Sequence, residues 1–414
     1  MKFFEQKNNS EDHSMENKQF HSSQAATTAV AFTFALSMTA LLQACGGAGP
    51  SGPAAEGSPG TPAKEPEKPG GGARSIKQAY EAYFPIGAAV GPEHLAKVGA
   101  IIETHFNHLT AENAMKFGPI HPAPDTWSYV DADAVADYAR KLGMKMTGHT
   151  FVWHRMQPDW LFADLKPGDP ASIDKLKERL RTHINTMVKR YGDVVDNWDV
   201  VNEAISDTPE KLYRDGSEDS KWYEIYGNES YIVDAFSYAK EALEKATGSA
   251  EGKMYYNEYG EGPKFDKCIK LAKWLRDEKG IPVAGIGIQA HWNLEWPPVD
   301  EVQRMIDEAR SAGFKVKISE LDLSIYSKDD WANKVWEPGK LFDEQVKEAQ
   351  ANRFGSLFAT FRKNKDAITS VTTWGVADDS TWLDAFPVAG RNNYPLLFDD
   401  AHQPKSSVAK IVDF

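Results

Sequence analysis

The sequence predicts an α/β fold, a (β/α)8 TIM barrel, and three observations carry that expectation. Strand and helix patterns alternate eight times between residues 84 and 412. The strand runs are short, apolar and rich in β-branched and aromatic residues, too short to be helices. Polar motifs follow nearly every one of them, and in a parallel barrel the C-terminal strand ends carry the chemistry while the strand bodies fill the core. A doubly wound sheet would also alternate strands and helices, but it gives no reason for polar motifs at so many strand ends.

In chain order, strands are expected at 84–90, 106–109, 145–152, 195–201, 253–256, 284–288, 315–321 and 371–374. Helical periodicity fills 93–104, 131–142, 172–190, 230–246, 265–279, 299–312, 340–364 and 404–412. Gly99, Gly143, Gly280 and Gly313 fall near the expected helix C-termini, where a left-handed cap suits glycine. Cys268 shares an apolar helical stripe with Leu271, Ala272 and Leu275, so it reads as a buried, inert thiol. The only other cysteine is Cys45, and no disulfide is implied.

Three segments divide the chain: a leader at 1–44, a linker at 45–74 and the barrel at 75–414. Residues 25–44 form an uncharged, largely apolar run that ends in Leu42–Gln43–Ala44–Cys45–Gly46, small residues where a secretory signal peptide would be cut. This resembles a bacterial lipoprotein signal, which implies lipidation of Cys45 and an exported protein anchored to the membrane by lipid alone. An uncleaved anchor and plain secretion are the alternatives. Glu5, Glu11, Asp12 and Glu16 dilute the positive charge of the leader, and a start at Met15 instead of Met1 would remove most of that acidic stretch. Residues 46–74 are rich in Gly, Pro and Ala; they cannot bury enough surface to fold and read as a disordered tether.

The formal charge of −13 comes with no basic cluster outside helix faces, which argues against a nucleic-acid partner. Twelve tryptophans are many, and several lie in the expected strand-end loops, where an aromatic face can stack on a sugar ring. Val195, Trp198, Val200 and Val201 lead into Asn202 and Glu203; the run 315–322 repeats the arrangement and delivers Glu320 and Asp322. Two glutamates presented by two strands of one barrel are the parts needed for glycoside hydrolysis.

The strand-end motifs follow in order: TAENAMK at 110–116, GHTFVWH at 148–154, WDVVNE at 198–203, YNEY at 256–259, QAH at 289–291, SELD at 319–322 and WGVAD at 374–378. With the ending PLLFD at 395–399 and Pro404–Lys405, the stretch 76–414 resembles glycoside hydrolase family 10, the endo-β-1,4-xylanases. The resemblance implies a retaining enzyme with Glu203 as acid/base and Glu320 as nucleophile. Glu320 must be ionised to attack, and its charge would keep Glu203 protonated until the covalent sugar ester forms. His291 is then the residue that bonds Glu320 and Asp322, and Asn202 the one that bonds the 2-hydroxyl of the reacting sugar. Glu112, Asn113, Lys116, His149, Trp153 and Gln289 would hold hydroxyls on the glycone side, with Trp374 and Trp382 as an apolar wall. His154 is expected behind these contacts.

The implied partner is xylan or xylo-oligosaccharide, bound by a monomer with no cofactor and no metal; the acidic and histidine residues are spread over separate strands, unlike a compact ligand motif. One departure stands out. Many family members read Ser–Gln after the Trp–His pair, where this chain has Arg155 and Met156, with Gln157 next. Two other functions stay open: a relaxed β-1,4-glycanase acting on glucan or aryl cellobiosides, and a non-catalytic surface protein that binds carbohydrate.

Overall fold

The computed structural model describes residues 74–335 and 341–414. The expected leader, Cys45 and all of the expected tether except Arg74 lie outside the described residues. Among those described, no helix is long and apolar enough to cross a membrane.

The barrel strands are β1 Ile86–Val90, β2 His108–Ala111, β3 Lys145–Val152, β4 Val195–Asn202, β5 Met254–Glu258, β6 Gly285–Ile288, β7 Lys315–Ser324 and β8 Ile368–Thr373. Each pairs in parallel with the next, and β8 closes on β1 with Val371 opposite Ile86. The helices that follow the strands are α1 Pro92–His105, α2 Val130–Leu142, α3 Pro170–Tyr191, α4 Ser230–Thr247, α5 Pro263–Lys273, α6 Val299–Ser311, α7 Glu344–Lys363 and α8 Ser406–Val412. This is the predicted (β/α)8 order. Beyond it, a short helix Ile76–Ala79 opens the fold behind a capping box at Ser75.

The strands form where the sequence supplies residues fit to be buried on both faces, as parallel strands require. Trp198 of β4 is 1% exposed and stacks on Phe151 of β3 with ring centroids 4.4 Å apart. Gly148 makes the space: a Cβ there would stand 2.0 Å from the Trp198 ring. Full burial of such side chains stabilises the barrel by roughly 1.5–3 kcal/mol each. Cys268 is buried and free, its thiol donating to the Lys264 carbonyl at 3.3 Å; burial pushes its pKa up, in accord with an inert thiol.

Several boundaries shift for local reasons. Phe106 caps α1 from an extended conformation, so β2 starts at His108 and not at 106. Asp343 accepts from the Val346 N–H, which sets the start of α7 at Glu344. Gly143, Gly280 and Gly313 take φ of 66°, 66° and 82°, the left-handed geometry expected of them. Gly99 does not: it lies inside α1, one residue past a kink at Val98. There the Tyr138 hydroxyl of α2 donates to the Gly99 carbonyl at 3.1 Å, and a Cβ on Gly99 would meet that hydroxyl at the same distance. Its role is close helix approach.

Candidate active site

Glu203 is the first residue past β4. It adopts φ 57°, a left-handed conformation that costs a residue with a Cβ about 1–3 kcal/mol and persists where the surroundings over-determine it. Its carboxylate is gripped from two sides: Trp153 Nε1 donates to Oε2 at 2.7 Å and Gln289 Nε2 to Oε1 at 2.9 Å. Asn202 Nδ2 adds a longer contact to Oε1 at 3.3 Å. These donors are neutral amides and an indole.

Glu320 stands in the middle of β7 and is 4% exposed. Asn257 Nδ2 donates to its Oε1 at 2.6 Å, and His291 Nε2 lies 3.2 Å from its Oε2. The other ring nitrogen of His291 is 2.8 Å from Asp322 Oδ2, which also accepts from Trp382 Nε1 at 2.9 Å. A three-residue strand, His291–Asn293, aligned beside the end of β7 with His291 opposite Asp322, fixes the imidazole in this position. Burial alone would lower the pKa of His291, but the charge of Asp322 and the hydrogen bonds to both carboxylates outweigh it and push the value up to about 10. Burial likewise favours the neutral form of Glu320, yet the His291 hydrogen bond and the charges of His149, His291 and Lys116 prevail and hold its pKa below the usual glutamate value.

The two carboxylates are joined through amide side chains. Asn257 Nδ2 also donates to Asn202 Oδ1 at 2.9 Å, and Ser319 Oγ donates to Asn257 Oδ1 at 2.7 Å. Gly287 leaves room for this amide, since a Cβ there would stand 2.1 Å from Asn257 Oδ1. Below it, Lys317 Nζ is 2.7 Å from Asp199 Oδ1, and Asp199 Oδ2 is 3.0 Å from His149 Nδ1. Lys317 and Asp199 are each 1% exposed, a buried pair whose carboxylate holds the His149 ring through Nδ1.

Around this centre stand the other predicted residues. Lys116 Nζ donates to Asn113 Oδ1 at 2.8 Å and lies 4.8 Å from the Trp153 ring centre and 5.7 Å from that of Trp374. Asn113 Nδ2 donates to Glu112 at 3.2 Å. Burial lowers the pKa of Lys116 against the opposing charges of Glu320, Glu112 and Glu203. Trp374 meets His149 and His291 edge-on, and Trp382 meets His291 at 4.9 Å. Every barrel residue predicted for the site thus belongs to one cluster at the C-terminal end of the strands. His154 stands behind it, with Nδ1 3.8 Å from Glu203 Oε2; burial, then the charges of Arg214 and Arg155, push its pKa down to about 3, so it stays neutral.

Sequence reasoning missed Asn257, Asp199 and Lys317 as site residues. The signal for Asn257 was its position directly after an apolar strand run in YNEY; for the other two it was a charge of each sign inside a strand body. The departure at 155–157 has a structural outcome too. Met156 takes φ 51° and is 42% exposed, while the Gln157 amide donates to the backbone carbonyls of Trp153 and Arg155. Gln157 therefore does not replace the missing polar side chain. Among the described residues, no group of three or more His, Cys, Asp or Glu side chains is gathered as a metal site.

A (β/α)8 barrel whose strand ends converge on two carboxylates, one bonded to a protonated imidazole and an amide and the other to an indole and amides, has the parts of a glycoside hydrolase. Residues 75–414 match the model of Glycosyl hydrolase family 10, and the chain belongs to that family. It is 43% identical over 345 residues to endo-1,4-beta-xylanase A of Caldicellulosiruptor saccharolyticus, covering 82% of this chain and 96% of the relative. The crystal structure of an endo-1,4-beta-xylanase from Caldicellulosiruptor owensensis is similar at 44% identity and a TM-score of 0.74, over 82% of this chain and 99% of that one. A solved structure in complex with xylotriose matches at 40% identity and a TM-score of 0.74, over the same shares of the two chains.

Proposed function

We infer that this protein is an endo-1,4-β-xylanase that hydrolyses internal β-1,4-xylosidic bonds of xylan with retention of configuration. The observation that carries this reading is the contrast between its two glutamates. Glu320, held ionised by His291 and Asn257, attacks the anomeric carbon from one face of the sugar. Glu203, whose hydrogen-bond partners are an indole and two amides, gives its proton to the departing glycosidic oxygen from the other. The resulting ester on Glu320 removes one negative charge from the centre, so Glu203, now a carboxylate, takes a proton from the incoming water. Asn202, fixed by Asn257 and Gln289, holds the 2-hydroxyl of the reacting sugar in this reading, a contact that strengthens as positive charge develops. Glu112, Asn113, Lys116 and His149 supply the polar contacts to the glycone sugar, and Trp374 and Trp382 its apolar wall.

Release of reducing ends from xylan, β-glucan and mannan tests the activity. Xylan alone should be cleaved rapidly; comparable rates on glucan indicate a relaxed glycanase, and no release from any polymer indicates a binding protein. We further propose that the barrel works outside the cytoplasm as a monomer tethered by a lipid on Cys45. The support is the apolar run that ends at LQAC and the Gly/Pro-rich stretch behind it. Stable attachment needs more than one acyl chain, as a lipoprotein cysteine carries. Cys45→Ser should move the protein from the membrane fraction to the soluble fraction; unchanged membrane association rejects the tether.

A further inference from the structure

Behind Glu203 lies a buried polar cluster for which the reaction as described has no use. Tyr256 and Glu258 of β5 are 0% and 3% exposed, and Arg214 is 6% exposed. Tyr256 Oη accepts from the backbone N–H of Ala204 and of Ile205, both at 2.9 Å, and donates its own proton to Glu258 Oε2 at 2.5 Å. The Ile205 N–H is shared with that carboxylate oxygen at 3.1 Å. Arg214 Nε donates to the carbonyl of Glu203 itself at 3.1 Å, and the Arg214 N–H to the carbonyl of Ala204 at 2.8 Å. Each peptide group on the C-terminal side of Glu203 is thus held from behind.

The cluster is itself anchored. Lys264 Nζ lies 3.2 Å from Glu258 Oε1 and 2.6 Å from Asp207 Oδ1, and Arg214 Nη2 donates to Asp207 and to the Tyr259 hydroxyl. Burial raises the pKa of Glu258, which Lys264 opposes and the nearby charge of Glu203 reinforces. Nothing in this set bonds the carboxylate of Glu203. What it bonds is the turn that forces Glu203 to φ 57°, a conformation that persists only where the surroundings impose it.

We propose that Tyr256, with Glu258 and Arg214, is a positioning group that locks the backbone of Glu203 in its left-handed conformation and so aims the acid/base carboxyl at the leaving oxygen. The proposal rests on Glu203 being the acid/base. Tyr256→Phe keeps the ring and its packing but leaves the Ala204 N–H without its acceptor and the Ile205 N–H with Glu258 Oε2 alone, so the turn relaxes and the carboxyl shifts. A shift of about 1 Å is enough to cost on the order of 10²-fold in rate.

The readout is the leaving group, because a sugar alkoxide needs a proton and an activated phenolate does not. In Tyr256→Phe, kcat on xylan should fall ~10–100-fold with KM little changed, while the burst of 2,4-dinitrophenol from its β-xylobioside stays within ~3-fold of the parent protein. Parallel losses on the two substrates, or no loss on xylan, overturn the proposal. Glu203→Ala runs beside it: if that variant shows the leaving-group split and Tyr256→Phe does not, the positioning role fails and the acid/base assignment stands. If Glu203→Ala itself shows no split, the acid/base assignment fails. Should Tyr256→Phe not accumulate folded, Arg214→Lys, which keeps a cation beside Asp207 but withdraws the N–H from the Glu203 carbonyl, is held to the same criteria.

Discussion

The ends of β4 and β7 each deliver a glutamate to the same cleft, yet they do so in different ways. Glu320 sits within its strand, buried, with a protonated imidazole and an amide on its two oxygens. Glu203 sits beyond its strand in a left-handed turn, with an indole N–H and amides for partners. Cations and a rigid strand favour an ionised nucleophile at a fixed place; the acid/base stands instead on a held turn, with an indole and amides as its hydrogen-bond partners. Two identical side chains acquire separate tasks from what surrounds them.

Removing each carboxylate should break the comparison open. Glu320→Ala should lose ~10⁴-fold or more on every substrate, because no covalent intermediate forms and no burst appears. Glu203→Ala should lose about 10²–10⁴-fold on xylan while still showing a burst with an activated aryl xylobioside, and azide, which needs no base, should restore turnover. Equal losses in the two variants would erase the distinction between the strand ends.

His291 is the group that makes the β7 side cationic. His291→Asn should slow xylan hydrolysis about 10–100-fold, the worth of a charged hydrogen bond, and move the acidic limb of the pH–rate profile to higher pH. The sign follows from Glu320: its pKa is held down largely by His291, so without that cation it must be brought to a higher pH before it ionises. An acidic limb that stays in place would mean the imidazole does not control the nucleophile.

His183 of α3 is the counterpart that sharpens the point. It is fully buried, stacked on Phe117 with centroids 3.7 Å apart, and neither ring nitrogen has a hydrogen-bond partner among the described residues. Burial, with a small push from His121, drives its pKa well below the usual histidine value, the reverse of His291. The unfolded chain takes up that proton below about pH 6.5 while the folded chain resists it, so stability present above that pH is lost as pH falls, by up to about 1.4 kcal/mol per pH unit. His183→Phe should flatten the fall in Tm between pH 6.5 and 5 and leave xylan hydrolysis unchanged. The raised pKa of His291 acts at the other end: its contribution is complete below about pH 6.5 and is lost as pH rises through about 10. An unaltered Tm profile in His183→Phe would show that this ring is not an acid-labile element.

Much of this was legible in the residues themselves. The eight strand–helix units follow from apolar runs that stop at polar motifs, and Glu203, Glu320 and Asp322 were readable because they close such runs, whereas His291 was read only through the family resemblance of its motif. Asn257 was less visible because its neighbours in YNEY look equally polar, and only the three-dimensional pairing of β5 with β4 and β6 separates the one that faces the cleft from Glu258, which faces backwards. Lys317 and Asp199 were hidden for another reason: a charge inside a strand reads as an interruption until its partner across the barrel is known. The left-handed turn at Glu203 leaves no trace in composition, since nothing in the run NEAIS calls for a glycine conformation. Gly99 misled because glycine marks close helix contacts as readily as helix ends.

The smallest expected effect concerns the glycone rim. Met156 offers no strong acceptor, and the Gln157 amide is engaged by backbone. Met156→Gln should therefore lower KM for xylo-oligosaccharides about 2–10-fold, the worth of one hydrogen bond, with kcat unchanged. No change in KM would place residue 156 outside the sugar contacts.

The division of labour between the two strand ends is tested most directly by trapping the covalent intermediate. A 2,4-dinitrophenyl 2-deoxy-2-fluoro-β-xylobioside slows both steps, and its good leaving group lets the first outrun the second, so the sugar ester accumulates on the nucleophile. Intact mass should rise by one fluoroxylobiosyl unit, and peptide mapping should locate that mass on Glu320, with Glu203 unmodified. A label on Glu203, or inactivation that leaves no adduct on either residue, would contradict the account.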